Sequence, residues 1–421
     1  MATPMTQRPH DLVVWGATGV VGKLICEHLA RSYTGKLRWA MAGRSQERLA
    51  AVRQEMSKTN PACKDVPILC GDVGDQASVD AVVKVSRVVL STTGPYALMG
   101  TPVVDACVRM RTHYCDLTGE LPWVRKMHRR YHEEATRSQV KIVNSCGFDS
   151  VPSDIGTLLI ADYMIKHLGK PLASVELLNG QAYGFVSKGT LSSIYGAVIN
   201  VPKEEKAANN DPYCLNPPNS KRGPDKPDGF WISYSKAAQA WTAPFIMGPY
   251  NTRVVRRTNA LLGNFYGDGF RYSERQRVPG PIVGALVSSL FIIFGLLALF
   301  PPLKPVWKNL LPRLGGKPTE DTMKNGFWKM QLIGQSAPDS SGKATTVVAQ
   351  LSDKRDAGYN STARMILETG LCLLEDDKLK QAGLATGGCL TPASSCGLML
   401  ADRLNHADFT FKISTVDGKP I

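Results

Sequence analysis

Leu12-Val13-Val14-Trp15-Gly16-Ala17-Thr18-Gly19-Val20-Val21-Gly22 is the stretch that decides the fold of this 421-residue chain. Four apolar residues in a row fit a strand buried on both faces. A G-x-x-G-x-x-G loop follows at once, and Val20 to Ala30 continues with Leu24, Ile25 and Leu29 at helical core spacing. Glycines in such a strand-loop-helix turn permit a tight bend and let backbone N–H groups approach a pyrophosphate. The helix N-terminus adds a favourable dipole for the anion. Gly16, Thr18, Gly19, Val20 and Gly22 are therefore the expected phosphate-binding positions. A glycine pattern alone also suits a plain turn, so the elements around it carry the decision.

Those elements alternate. Strand-like runs at Leu37 to Ala42, Val66 to Leu69, Val88 to Leu90, Thr112 to Cys115 and Lys141 to Val143 are separated by helical patterns. The helices are expected from Ser45 to about Met56, Ala77 to Val85, Pro102 to Arg109 and Pro122 to Ser138. Regular β-α alternation implies an α/β fold with a doubly wound, Rossmann-type parallel sheet. Past Pro152 the alternation stops. Val175 to Leu178 and Ala344 to Leu351 read as strands of a second, α+β domain, and Tyr359 to Leu374 reads as a helix. The expected division is a dinucleotide-binding domain over 1–155, an α+β domain over 156–358, and C-terminal helices over 359–421 packing back on the first. Residues 203–229 are polar, with Pro217-Pro218 and Gly223-Pro224, and read as a mobile loop.

Cofactor preference is legible at the end of the second strand. An NAD-binding loop carries Asp or Glu there for the ribose hydroxyls. This chain has Gly43-Arg44-Ser45 instead. Arg44 can pair with a 2′-phosphate and Ser45 can donate to it, so NADP(H) is favoured over NAD(H). Asp72 follows the third strand and suits either the adenine amine or a helix cap. Thr93 and Gly94 follow the fourth strand, where a doubly wound sheet holds the nicotinamide. Tyr96 in the same loop is a candidate proton donor, or else an aromatic packed beneath the ring. Asp116 and Glu120 end the fifth strand and are candidates to hold a water or to brace the turn. Ser145 to Asp154 is the expected connection to the second domain. His113 and Cys146 have no triad context, which argues against nucleophilic catalysis.

Composition narrows the class further. The net charge is +14, yet Lys and Arg are spread along the chain with no basic, aromatic-interleaved block, which argues against nucleic acid. Ten cysteines occur without a C-x-x-C pair, so neither a zinc signature nor a disulfide framework is expected, and no metal is assigned. Met1 to Pro9 is polar and lacks the apolar core of a signal peptide. One segment stands apart: Pro281 to Phe300 has no charge and the length of a spanning helix. Arg271, Arg275 and Arg277 precede it, and Lys304, Lys308 and Arg313 follow. Three readings compete: a buried core helix, a true span, and a monotopic insertion with basic shoulders on anionic headgroups. The third is preferred, because a single span would separate domains that share one site.

Several of these blocks together resemble the saccharopine dehydrogenase-like oxidoreductases of eukaryotes and the bacterial trans-acting enoyl reductases of glycolipid synthesis. The resemblance rests on VVWGATGVVGKLICEHLA, MAGRS, TTGPYALMGTPVVDAC, YCDLTGE and GFDSVPSDIG. It continues in GTLSSIYG, in the VVRRT run at Val254 to Thr258, and in GGCLTPASSCG, and so covers nearly the whole chain. It implies a Rossmann domain completed by C-terminal helices, an inserted α+β domain, NAD(P)-dependent reduction, and, for eukaryotic members, association with lipid droplets and other membranes. The expected function is reduction of a lipid-linked enoyl or keto substrate at a membrane or lipid-droplet surface. Expected partners are a lipid-like small molecule and that surface, with a homodimer left open. Two other readings stay in view: a nucleotide-binding membrane scaffold without turnover, and a soluble amino-acid dehydrogenase of the saccharopine type.

Overall fold

The computed structural model describes residues 4–184, 203–316 and 318–421, with isolated positions between 185 and 202. The GTLSSIYG block lies largely outside the described residues. The chain divides into two compact units. One comprises Met1–Phe148 and Gly358–Cys396, the other Asp149–Ala357 and Gly397–Ile421.

The first unit is built on β1 (His10–Trp15), α1 (Val20–Ser32), β2 (Trp39–Gly43), α2 (Gln46–Thr59), β3 (Ile68–Cys70), α3 (Gln76–Val83) and β4 (Ser86–Ser91). It continues through α4 (Tyr96–Met99), α5 (Thr101–Met110), β5 (His113–Asp116), α6 (Leu121–Arg137) and β6 (Lys141–Val143). Strands β1, β2, β4 and β5 are almost wholly buried, as continuous apolar runs in a covered parallel sheet should be. The six strands lie in the order β6-β5-β4-β1-β2-β3, all parallel. The order reverses between β1 and β4. Their carboxyl ends therefore open on the crevice where this fold binds dinucleotides.

The second unit begins with α7 (Val151–Asp162) and the long strand β7 (Leu172–Tyr183). Next come α8 (Lys203–Asn210), β8 (Ser233–Ser235), β9 (Ala240–Pro244), α9 (Gly248–Leu261) and β10 (Arg271–Val278). The apolar segment forms α10 (Pro281–Leu299), and Lys304–Leu314 forms α11. A short helix α12 (Glu320–Asn325) leads into β11 (Phe327–Ser336) and β12 (Thr346–Asp353). Strand β7 is the central rail: β10 pairs with it in parallel and β11 pairs with it antiparallel on the other side.

The 203–229 segment departs from the mobile loop expected of it. Three neighbouring arginines of α9 are buried and hold it down. Arg253 Nη1 meets Asp228 at 2.7 Å, and Arg256 Nε meets Asp225 at 2.6 Å. Arg257 donates to the Leu215 carbonyl, and Arg256 also donates to the Pro212 carbonyl at 3.3 Å. The VVRRT run is thus a set of struts. Polar composition suggested solvent exposure, but buried guanidinium groups can satisfy loop carbonyls as water would.

The last 60 or so residues behave differently from expectation. Helix α13 (Thr362–Leu374), α14 (Asp376–Gln381), β13 (Gly388–Leu390) and α15 (Pro392–Cys396) return to the first unit. Strand β13 pairs in parallel with β6 and becomes a seventh strand of that sheet. Helix α16 (Leu398–His406) and strands β14 (Thr410–Val416) and β15 (Lys419–Pro420) belong to the second unit instead. There β14 pairs with β12, completing a sheet of eight strands. A purely helical C-terminal segment is therefore corrected: it contributes one strand to the first sheet and two to the second.

Candidate functional site

The crevice between β1 and β4 is shaped by backbone. Gly16 adopts φ +90°, and its N–H donates to the Ala42 carbonyl at 2.9 Å. A Cβ at Gly16 would stand 2.5 Å from Thr93 Oγ1 and 2.8 Å from Thr92 Oγ1. Thr92 clasps the same loop: its hydroxyl bonds the Trp15 and Gly16 carbonyls at 3.1 and 3.2 Å. Gly22 packs so tightly on the Gly16 peptide that no side chain fits. Helix α1 starts at Gly19 without any side-chain cap, which leaves its first N–H groups to an incoming anion. Val20 beside it is exposed. This geometry fits a pyrophosphate at the loop.

The end of β2 fits a 2′-phosphate. Arg44 is exposed and makes no hydrogen bond or ion pair among the described residues. Ser45 caps α2 by accepting the Arg48 N–H at 3.2 Å, which leaves its hydroxyl proton available. Asp72 is also exposed, but one of its oxygens accepts the Gly74 N–H at 2.9 Å. The cap of α3 is Asp75, which accepts the Ala77 N–H at 3.1 Å. Asp72 therefore braces the turn after β3, with one oxygen left for an adenine.

The three expected proton-handling residues are brought together, but in another role. Tyr96 is buried, its ring against Trp123 at 5.6 Å. Its hydroxyl donates to the Ser91 carbonyl at 2.9 Å and accepts the Leu117 N–H at 3.2 Å. Burial drives the phenol well above its usual range, with the nearby Asp116 carboxylate adding to the rise. Glu120 is buried and accepts the Tyr96 and Ala97 N–H groups at 2.8 and 2.9 Å. Asp116 is fully buried and accepts from the Thr118 N–H, the Ser145 N–H and Asn144 Nδ2 at 3.1, 3.0 and 2.7 Å. Burial raises it to about 6 despite these donors. The geometry therefore favours the packing alternative for Tyr96 and the turn-bracing alternative for Asp116 and Glu120: each has its polar atoms bound inside the protein. Together they lock the loops after β4, β5 and β6 into one platform.

Asn144, which the sequence does not single out, and Ser145, expected only as the start of the connection, are also parts of that platform. Asn144 Oδ1 bonds His128 Nε2 at 3.1 Å, and Ser145 Oγ donates to the Thr118 carbonyl at 2.9 Å. Ser145 has φ 66°, an uncommon value for a non-glycine residue, here fixed from both its amide and its hydroxyl. Asp149 lies four residues on. It makes no hydrogen bond or ion pair among the described residues, and burial alone raises it to about 6.

The platform reading makes a direct prediction for Tyr96→Phe. The change orphans a buried N–H and a buried carbonyl, so stability should fall by about 1–3 kcal/mol. NADPH affinity should stay within about threefold, because only uniform packing beside the crevice is altered. Thermal melting and a fluorescence titration check both. An unchanged melting temperature would sink the structural assignment.

A doubly wound sheet with an open glycine loop at its switch point and a free arginine after β2 defines a dinucleotide-binding, oxidoreductase-type protein built for NADP(H). Residues 12–143 match the saccharopine dehydrogenase NADP binding domain. A trans-acting enoyl reductase of Mycobacterium leprae is 33% identical over 420 residues, covering 95% of this chain and 97% of that protein. One from Mycobacterium tuberculosis strain H37Rv is 32% identical over 423 residues, with coverage of 95% and 97%. The fold is shared with the L-Glu-forming saccharopine dehydrogenase of Saccharomyces cerevisiae at a TM-score of 0.54. That match has 14% identity and spans 96% of this chain and 99% of that one. The chain belongs to the saccharopine dehydrogenase-like oxidoreductases, the family that includes the trans-acting enoyl reductases, and its cofactor is NADP(H).

Proposed function

We propose that this protein reduces an enoyl or keto group on a lipid-linked substrate, with NADPH as reductant, at a membrane or lipid-droplet surface. One observation carries the reading: the nucleotide crevice and an outward-facing apolar helix occur in one chain. Only 17% of the Pro281–Ala298 window is buried among the described residues, which supports an outward-facing helix over a core helix. The strand topology speaks against a single span. The chain leaves β10 at Val278 and returns in β11 at Phe327, and both strands pair with β7 near its carboxyl end. With this sheet intact, the chain entering α10 and the chain leaving α11 lie at the same edge, which supports a monotopic insertion.

Bound NADPH supplies a hydride from its nicotinamide ring. The chain's own residues bind and position. The Gly16–Gly22 backbone holds the pyrophosphate, Arg44 and Ser45 the 2′-phosphate, and the Tyr96–Glu120–Asp116 platform fixes the loops that face the reacting ring. An enoyl reaction is favoured over an amino-acid one because the relatives over nearly the full length carry the enoyl reductase name.

The test joins binding to turnover. Arg44→Ala should weaken NADPH roughly 10- to 100-fold, the worth of one charge-assisted phosphate contact, and leave NADH nearly unchanged. Vesicle-borne enoyl and keto lipids should then drive NADPH oxidation by the unaltered protein. An NADPH-to-NADH preference that survives Arg44→Ala would overturn the phosphate assignment. Tight NADPH binding without oxidation on any such lipid would favour the scaffold, a reading that draws support from the internal bonding of the Tyr96 phenol.

A further inference from the structure

The segment leading into and through β8 carries half-exposed aromatic rings, of which Tyr234 meets Trp241 edge-on at 5.2 Å. Phe230, Trp231 and Tyr234 are 50%, 54% and 50% exposed. Their backbone is held nonetheless. Arg275 donates to the Gly229 carbonyl at 3.0 Å and the Trp231 carbonyl at 2.5 Å, and β8 is paired to β9. One of the basic shoulders noted in the sequence is therefore internal, and its role is to present these rings. They stand beside the foot of α10: a Cβ on Gly284 would lie 2.6 Å from Ile232 Cδ1 and 3.2 Å from Val278. Tryptophan and tyrosine in such a position suit the headgroup layer, where one end of the ring is apolar and the other wet.

The far end of α10 is charged. Helix α11 stays there rather than returning to the foot. The Trp307 indole donates to the Leu297 carbonyl at 3.1 Å and sits edge-on to Phe294 at 5.3 Å. Further along, Leu311 clusters with Ala298. Lys304, Lys308 and Arg313 thus lie near the distal third of α10 and make no ion pair among the described residues. On the same helix Val306, Leu310 and Leu314 form an exposed apolar stripe at four-residue spacing.

A helix of 19 residues is about 28 Å long. Inserted end-on, it would carry Lys304 and Lys308 through most of a hydrocarbon core about 30 Å thick. Each buried charge there costs at least about 2.5 kcal/mol. Laid flat, the helix keeps both ends at headgroup depth. We infer that α10 lies along the surface of an anionic phospholipid bilayer, with Phe230, Trp231 and Tyr234 at one end and Lys304, Lys308 and Arg313 at the other in its headgroup layer. This rests on the membrane reading above and adds to it an orientation and a lipid charge.

The full chain is floated with phosphatidylserine–phosphatidylcholine vesicles of about 3:7 composition, where each basic residue at the surface adds about 1 kcal/mol. Bromines are placed on the lipids either near the headgroup or near the acyl end. Trp231→Phe and Trp307→Phe, each compared with the unaltered chain, report the depth of one ring. The expected result is that both rings are quenched mainly by shallow bromines. Changing Phe230, Trp231 and Tyr234 together to Ser should lower binding roughly tenfold or more. Changing Lys304, Lys308 and Arg313 together to Gln should do the same, and raised salt should mimic it. Deep quenching at Trp307, or aromatic and basic variants that bind like the original, would overturn the inference while leaving membrane binding intact. If the unaltered chain fails to float, the membrane reading itself falls. A concentration-dependent dimer dissolved by the same substitutions would assign this face to a second copy instead.

Discussion

Gly16→Val is expected to abolish NADPH binding, with Kd raised by more than about 100-fold. Two independent effects act at the same atom. The backbone there has φ +90°, which L side chains rarely adopt, and holding a non-glycine residue in such a region costs about 1–3 kcal/mol. The new Cβ would also stand 2.5 Å from Thr93 Oγ1 and 2.8 Å from Thr92 Oγ1. Thr92 cannot move freely, because its hydroxyl and N–H both bond the end of β1. The loop must therefore leave the crevice. Gly19→Ala provides the contrast: its Cβ would meet only the Gly16 carbonyl oxygen at 3.3 Å, so a smaller loss is expected. Calorimetric titration reads the affinity, and circular dichroism verifies that the protein remains folded. A Gly16→Val protein that binds NADPH within threefold of the original would remove this loop from the site.

The second large effect is in the other unit. Arg256→Ala should cost about 3–5 kcal/mol, because it leaves the Asp225 carboxylate buried without its partner. Both side chains are nearly inaccessible, at 4% and 8% exposure. The same guanidinium donates to the Pro212 and Tyr272 carbonyls at 3.3 and 3.2 Å and lies over the Tyr213 ring. Losing it should free the 203–229 segment. Trypsin should then cut faster at Lys221 and Arg222, and urea unfolding should show the lowered stability. A loss below about 1 kcal/mol with an unchanged cleavage pattern would contradict the strut role, since surface changes fall in that range.

Much of the cofactor site is legible in the amino-acid sequence. The strand at Leu12, the glycine loop and the Arg44-Ser45 pair are short-range signals. Strand burial needs a run of apolar residues, the loop needs glycine where a Cβ cannot fit, and Ser45 caps the helix it precedes. Each rests on residues within one turn of each other, so sequence spacing and spatial proximity coincide. Tyr96, Asp116 and Glu120 are legible too, but with the wrong role. Sequence shows that a phenol or carboxylate stands near the end of a strand. It does not show whether that group faces a substrate or the peptide N–H of a loop some 20 residues away. Asn144 escapes notice, and Ser145 is noted only as the start of a connection, for the same reason: their partners lie in other loops.

By itself the sequence determined the nucleotide-binding class, the NADP(H) preference and the presence of a bilayer-length apolar segment, because composition and local spacing dictate all three. The tertiary structure alone decided where the last residues go and where the two ends of the apolar segment meet the sheet. Strand β13 joins β6 although nearly 250 residues separate them, and β14 closes the other sheet. The pairing of β10 and β11 to the same strand brings both ends of the apolar stretch back to one edge of the sheet, which the apolar run alone does not show. Both outcomes depend on hydrogen bonds between residues far apart in the chain, and the energy that selects among such pairings comes from burying whole faces at once. No window of sequence contains that information.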